Sequence, residues 1–264
     1  MGERQAARDE LSRADVTGQL RTLGVKQGDV LLVHTSFRAT RPLEGGPAGL
    51  IDALRDAVGP DGTLVMPSWP EDDDQPFDSL ATPASPDLGA VADIFWRRPG
   101  VLRSNHCQAF AAVGPEAARI TADPLPLPPH IPESPVGRVR DLNGQVLLLG
   151  VGHDVDTTLH LAELVAGVPY RLPRHCTVLQ SGQKVRLDYG ENDHCCTRFA
   201  LADGWLRARS LQSEGRVGHA HARLARSRDI VGIALDHLAR DPLLFLHPPS
   251  AACADCDEAR RSTV

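Results

Sequence analysis

The passage that most constrains this chain runs from Leu147 to Glu163. An apolar run stops at Gly150-Val151-Gly152, a polar turn follows in which Asp156 or Thr157 is placed to cap, and Leu159, Ala162 and Val165 then recur at helical spacing. The reading is buried strand, loop and helix start. His160 falls in the first helical turn, where the partial positive charge of the helix end disfavours imidazolium, so a neutral imidazole able to accept a proton is expected. Glu163, three residues on, shares its face. A base with an orienting carboxylate at the carboxyl end of a strand is where open α/β sheets place chemistry. The plain alternatives are a polar residue covering a helix end for His160 and a solvated helix residue for Glu163.

The rest of the chain supports that reading. A helix is expected over Asp15–Leu23 up to Gly24, a buried strand over 28–36, a helix over Ala48–Val58, a turn at Gly59-Pro60-Asp61-Gly62 and a strand over Thr63–Met66. Strand, helix, strand implies a parallel core. The Pro- and Asp-rich passage from Pro67 to Pro86 carries Trp69 and Phe77 and reads as a functional loop. Beyond it come a helix from Asp87 to Trp96, a strand over Ala109–Val113, a helix opened by Ser134-Pro135 and the strand over 145–149. An antiparallel hairpin is expected over 176–179 and 184–187, then helices over Phe199–Arg209 and Arg228–Ala239 and a short strand over Leu243–Leu246. The fold class is α/β, with a central mixed, largely parallel sheet, flanking helices and a smaller antiparallel and helical lobe. One domain is expected over 1–264, with the main sheet region to about residue 170 and the second lobe over about 171–264.

A net charge of −6 argues against nucleic acid, and no apolar run approaches a membrane span or an N-terminal signal core, which points to the cytoplasm. Charge distribution says more than its sum. Glu71-Asp72-Asp73-Asp74 with Asp78 forms an acidic run, while Arg97-Arg98, Arg103, Arg138, Arg140, Arg223, Arg226 and Arg228 lie elsewhere. An enzyme joining a polyanionic cofactor to a polycationic substrate needs both. Six cysteines in 264 residues do not make a disulfide scaffold. Cys253-Ala254-Asp255-Cys256 with His247, and Cys196, Cys195 or His194 completing the set, offers a structural zinc site, with reduced thiols as the alternative. Gly150-Val151-Gly152 lacks the third glycine of a dinucleotide fingerprint, and Asp154 would repel a pyrophosphate. No phosphate loop, no Gly-x-Ser-x-Gly elbow and no glycine-rich acetyl-CoA loop of the general N-acetyltransferase superfamily is present.

Three blocks together resemble the aminoglycoside 3-N-acetyltransferases: Val33-His34-Thr35-Ser36-Phe37 with Gly45-Gly46, Arg103-Ser104-Asn105-His106, and Asp156-Thr157-Thr158-Leu159-His160-Leu161-Ala162-Glu163. The likeness continues through Glu191-Asn192-Asp193-His194-Cys195-Cys196 and the Cys253 to Cys256 tail, and is strongest toward the branch acting on apramycin and gentamicin-type drugs. It implies acetyl transfer from acetyl-CoA to the 3-amino group of a 2-deoxystreptamine ring, on an α/β fold of the family's own rather than that of the general superfamily. Two positions depart from the family's pattern: Cys107 follows His106 where proline is common, and Asp156 stands where asparagine is frequent.

An amine in a polycationic drug is mostly ammonium at neutral pH, so a base must free it and carboxylates must hold it. His160 is the expected base, Glu163 orients it, and Asp193 is a second carboxylate for the imidazole or the substrate. Thr157 and Thr158 at the helix start are candidates to stabilise the thioester oxyanion. For acetyl-CoA the candidates are Thr35, Ser36, Ser104 and Thr158, with Arg38, Arg41 and Arg103 facing phosphates. Substrate binding is assigned to Asp73, Glu191 and Asp193, then Asp72 and His130, with Trp69 and Phe77 offering aromatic faces. Direct transfer in a ternary complex is expected, since nothing around Cys107 favours a thiol intermediate. The rivals are a zinc hydrolase using His153, Asp154, His160 and Glu163, and a non-catalytic CoA- or drug-binding module. Monomer and homodimer are both compatible with the sequence.

Overall fold

The computed structural model describes residues 9–263 apart from 107, 123–126 and 181. In chain order the elements are α1 (Arg13–Leu23), β1 (Val30–Thr35), α2 (Phe37–Thr40), α3 (Gly46–Val58), β2 (Thr63–Pro67), α4 (Gly89–Trp96), β3 (Leu102–Arg103), β4 (Phe110–Val113), α5 (Ala117–Ile120) and α6 (Pro135–Asp141). There follow β5 (Gln145–Leu149), α7 (Thr158–Ala166), β6 (Leu172–Gln180), β7 (Gln183–Glu191), α8 (Leu201–Ala208), β8 (Gln212–Val217), β9 (Ala220–Arg226), α9 (Ser227–Leu238) and α10 (Ala254–Arg261).

Seven strands form one sheet in the order β3-β4-β2-β1-β5-β9-β8. Its centre is parallel: β1 pairs with β2 on one side and with β5 on the other. Both flanks run antiparallel, which gives the expected mixed α/β sheet and confines parallel pairing to β2, β1 and β5. The alternation of side chains along the central strands builds two cores. Val30, Leu32, Val146 and Leu148 face α6, α7 and α9, whereas Leu31, Val33, Leu147 and Leu149 face α1 and α3. Because β1 and β5 are parallel neighbours, their carboxyl ends, His34-Thr35 and Leu149-Gly150, emerge side by side. Gly150 sits at φ +70, and a Cβ there would lie 2.6 Å from that of Ala39, so only glycine lets the chain turn this close to α2.

The second half of the chain departs in part from the expected outline. β8 and β9 extend the main sheet, so the division near residue 171 does not follow the sheet. The β6–β7 hairpin is the element that pairs apart from it. Leu243 to Leu246 form a turn rather than a strand: the run is apolar but too short to reach a partner, and Leu244 and Leu246 bond back to Asp241 and Leu243. The cysteine tail contains a helix, α10. Among the described residues no helix is long and apolar enough to cross a membrane.

Candidate active site

The helix α7 starts where the sequence places it, but the cap is Asp156. Its Oδ1 accepts from the Thr158 amide at 3.0 Å and its Oδ2 meets His153 Nδ1 at 3.0 Å, whereas the Thr157 side chain makes no capping bond. Thr157 Oγ1 instead lies 3.3 Å from His34 Nε2 at the end of β1, tying the helix start to the central strand. His153 is held from both sides, by Asp156 and at 2.8 Å by Gln212 Oε1. A metal set of His153, Asp154, His160 and Glu163 is therefore not assembled, and it is not among the potential metal-binding clusters of the described residues.

His160 occupies the third position of α7, and its Nδ1 lies 3.0 Å from Glu163 Oε2. The glutamate is completely buried, and its other oxygen accepts from His194 Nε2 at 2.8 Å and from the Tyr170 hydroxyl. Burial alone would raise this carboxyl; the His160 and His194 hydrogen bonds outweigh it and hold the carboxyl at about 2. Glu163 is thus anionic and fixed by three donors. It cannot rotate toward solvent without leaving all three unpaired. The second ring nitrogen of His160, Nε2, lies 3.4 Å from Cys196 Sγ, and the Cys196 thiol also donates to the His194 carbonyl at 3.2 Å. The His160 pKa is well above its ordinary value: burial lowers it, but the sulfur of Cys196 and the Glu163 carboxylate on opposite nitrogens stabilise imidazolium and win. This reverses the expectation from the helix end, because two direct partners outweigh a partial charge.

His130 packs over the face of His160, ring centroids 5.3 Å apart and planes inclined by 24°. It is buried in the left-handed region at φ +68. Its Nδ1 is 3.5 Å from Glu191 Oε1 without hydrogen-bond geometry, and burial keeps it below the usual imidazole range. These rings open onto a cavity of about 360 Å³ lined by Trp69, His130, Thr157, His160, Glu191, Asp193, Cys196 and Phe199. Larger surface hollows lie beside α1, between that helix and α3 or β8, remote from this chemistry.

The other expected residues divide clearly. Glu191 and Asp193 line the cavity, but Asp193 accepts from Arg174 at 2.8 Å and does not reach His160, whose carboxylate is Glu163. Asp73 is half-buried, and burial, then Glu191 and its acidic neighbours, raise its carboxyl despite the opposing pull of His175. Asp72 is exposed and bonds the Asp74 amide, while Asp74 pairs with His175 on β6 at 2.7 Å. The acidic loop is thereby pinned to the hairpin, as the Phe77–Val178 bridge also requires. Trp69 lines the cavity as expected; Phe77 does not, being buried beneath Arg103 at 4.7 Å.

Arg103 is structural rather than a phosphate ligand. Its guanidinium lies between Phe77 and Trp96 and donates to the carbonyls of Ser68 and Thr82. Ser104 is likewise committed, its Oγ accepting from the Phe110 amide at 2.9 Å. Thr35, Ser36 and Arg38 remain together around the carboxyl end of β1, with Arg38 exposed. The buried hydroxyls of Thr35 and Thr158 have no protein partner, which suits them to a ligand. Of the metal candidates, Cys256 faces Cys195 at 3.5 Å and not Cys196, because the left-handed turn at Cys196 sends its sulfur to His160. His194 and Tyr170 are the site residues that sequence reasoning missed as Glu163 donors; His194 stands in the quoted motif, whereas Tyr170 gives no local signal. Cys107 lies outside the described residues.

The model of the aminoglycoside 3-N-acetyltransferase family matches residues 32–239. An aminoglycoside N(3)-acetyltransferase IV from Salmonella is 68% identical over 240 residues, which cover 91% of this chain and 92% of that protein. A histidine-to-alanine variant of the acetyltransferase AAC(3)-IVa, crystallised with gentamicin, superposes with a TM-score of 0.96 at 66% identity, covering 98% of this chain and 100% of the other. The same variant with apramycin gives a TM-score of 0.89 at 62% identity, covering 95% and 100%.

Proposed function

The chain belongs to the aminoglycoside 3-N-acetyltransferase family, and from that premise we propose that it acetylates the 3-amino group of gentamicin- and apramycin-type drugs, by direct transfer from acetyl-CoA in a ternary complex with His160 as general base. The observation that carries this reading is the His160–Glu163 pair opening onto a cavity walled by Glu191 and Asp193. The Glu163 carboxylate accepts a hydrogen bond from the Nδ1–H, which leaves Nε2 as the basic nitrogen of the neutral ring.

The drug arrives as a polycation, and Glu191 and Asp193, with the half-buried Asp73 near Glu191, supply the negative charge that retains it. The 3-amino group first loses its ammonium proton to solvent, and the neutral form of His160 then accepts a second proton through Nε2 as the free amine attacks the thioester carbonyl carbon. The oxyanion calls for donors; the Thr158 amide is already given to Asp156, so the unpartnered Thr158 hydroxyl is the group available there. Collapse forms the C–N bond of the amide and breaks the C–S bond. The CoA thiolate leaves and takes the proton back from the imidazolium, giving N-acetylated drug and CoA. Thr35 and Ser36 at the end of β1 are assigned to the donor, with Arg38 toward its phosphates. Incubating the chain with acetyl-CoA and gentamicin or apramycin tests this: free CoA and a drug acetylated on the 3-amino nitrogen are expected, and binding without CoA release would refute it.

A further inference from the structure

Three thiols lie beside the active-site loop, two of them in contact, and serve none of the chemistry above. Cys195 Sγ lies 3.5 Å from Cys256 Sγ; these two and His194 have their ligand atoms within 4.8 Å of one another, and Cys253, one helical turn before Cys256, borders that group. Cys253 is the residue before α10 and Cys256 its third, so one helix start presents two sulfurs toward a third from the loop after β7. Sulfurs sharing a tetrahedral zinc at ~2.3 Å are about 3.8 Å apart, whereas a disulfide requires about 2.05 Å. The Cys195–Cys256 spacing suits the metal. His194 stands close by, but both its ring nitrogens are engaged, by Glu163 and by the Cys196 amide.

We propose that Cys195, Cys253 and Cys256 bind a structural zinc ion as thiolates, with water or the His247 imidazole in the fourth position. The metal would tie the tail to the active-site loop at one atom. In the run Asp193-His194-Cys195-Cys196, the residues on either side of the ligand are those that bond Glu163 and His160. The tail is also packed into the core through Ala259, and it is held by Arg260, which donates to the His247 carbonyl at 2.5 Å, and by the Arg171 amide, which donates to the Ser262 hydroxyl at 3.1 Å. A Cys-x-x-Cys pair joined by a distant cysteine is a zinc-binding pattern, and closing a loop of this length favours the folded state.

The test is the metal content of the chain purified without chelator, measured by elemental mass spectrometry, together with the absorption of a cobalt-loaded sample. About one zinc per chain and thiolate-to-cobalt charge-transfer bands are expected. Cys195→Ser and Cys253→Ser should each lose most of the zinc and melt at lower temperature, while Cys196→Ala keeps it. A strong chelator should lower the melting temperature of the unaltered chain but not that of Cys253→Ser. A chain that carries no zinc and takes up none on titration, or a Cys195–Cys256 disulfide in the metal-free protein, would overturn the assignment. So would loss of zinc in Cys196→Ala with retention in Cys195→Ser.

Discussion

Glu163 touches His160 with one carboxylate oxygen and His194 with the other, at 3.0 and 2.8 Å, so a single buried anion fixes two imidazoles. Replacing it with glutamine keeps the shape but presents an amide N–H to groups that already donate. Glu163→Gln should destabilise the fold by about 3 kcal/mol and lower kcat on the order of 10²-fold. The pH dependence carries the same signature. Because the carboxyl sits at about 2 in the folded chain against an ordinary 4.5, its contribution is complete above 4.5 and is lost as the pH falls through about 2. Denaturant titrations across that interval should show a steeper loss in the unaltered chain than in the variant; equal slopes would contradict the assignment.

In the proposed mechanism the sulfur of Cys196 acts on His160 rather than on the acetyl group. It supports the protonated form of His160 from the Nε2 side, so Cys196→Ala should let the ring deprotonate at lower pH. The acid limb of the kcat/KM profile should move to lower pH, with acetyl transfer retained. An unmoved limb, or abolished transfer with an acetylated Cys196 in the unaltered chain, would show that the thiol has another task.

The pair at the centre of the site was legible because it is local: a first-turn histidine and a glutamate three residues on must share a face. What holds the pair was less so. Tyr170, His194 and Cys196 arrive from turns and hairpins up to 36 residues away, and no spacing rule connects them. The titration of His160 was misjudged for the same reason, since the helix-end argument saw one weak field and missed two direct contacts. β8 escaped notice because Gln212-Ser213-Glu214-Gly215-Arg216 is an edge strand with little apolar content. Arg103 and Ser104 sat in the quoted motif as ligand candidates, yet a buried arginine between two aromatics reads in sequence like any other basic residue.

Arg103 offers a test of that correction. Its guanidinium joins the loop carbonyls of Ser68 and Thr82 to the rings of Phe77 and Trp96. Arg103→Ala should therefore cost about 2–4 kcal/mol in denaturant unfolding while leaving the KM for acetyl-CoA within about threefold. A large rise in that KM on an unchanged stability would return the residue to the phosphates.

The acidic wall makes a prediction about which substrate suffers. Glu191 lines the cavity and raises the carboxyl of Asp73, so under the proposed function the two act on one region of the drug. Glu191→Gln and Asp73→Asn should each raise the drug KM by about tenfold, the cost of one charge-assisted contact, with acetyl-CoA KM nearly constant. Equal changes for both substrates would contradict the assignment.

The most direct test of the account is the turnover of His160→Ala, followed as free CoA released from acetyl-CoA in the presence of gentamicin, on protein whose melting curve shows it to be folded. A positioned base should be missed by about 10²–10⁴-fold in kcat, with the drug KM changed only a few-fold. Turnover close to that of the unaltered chain would contradict it, because the amine would then be losing its proton to some other group.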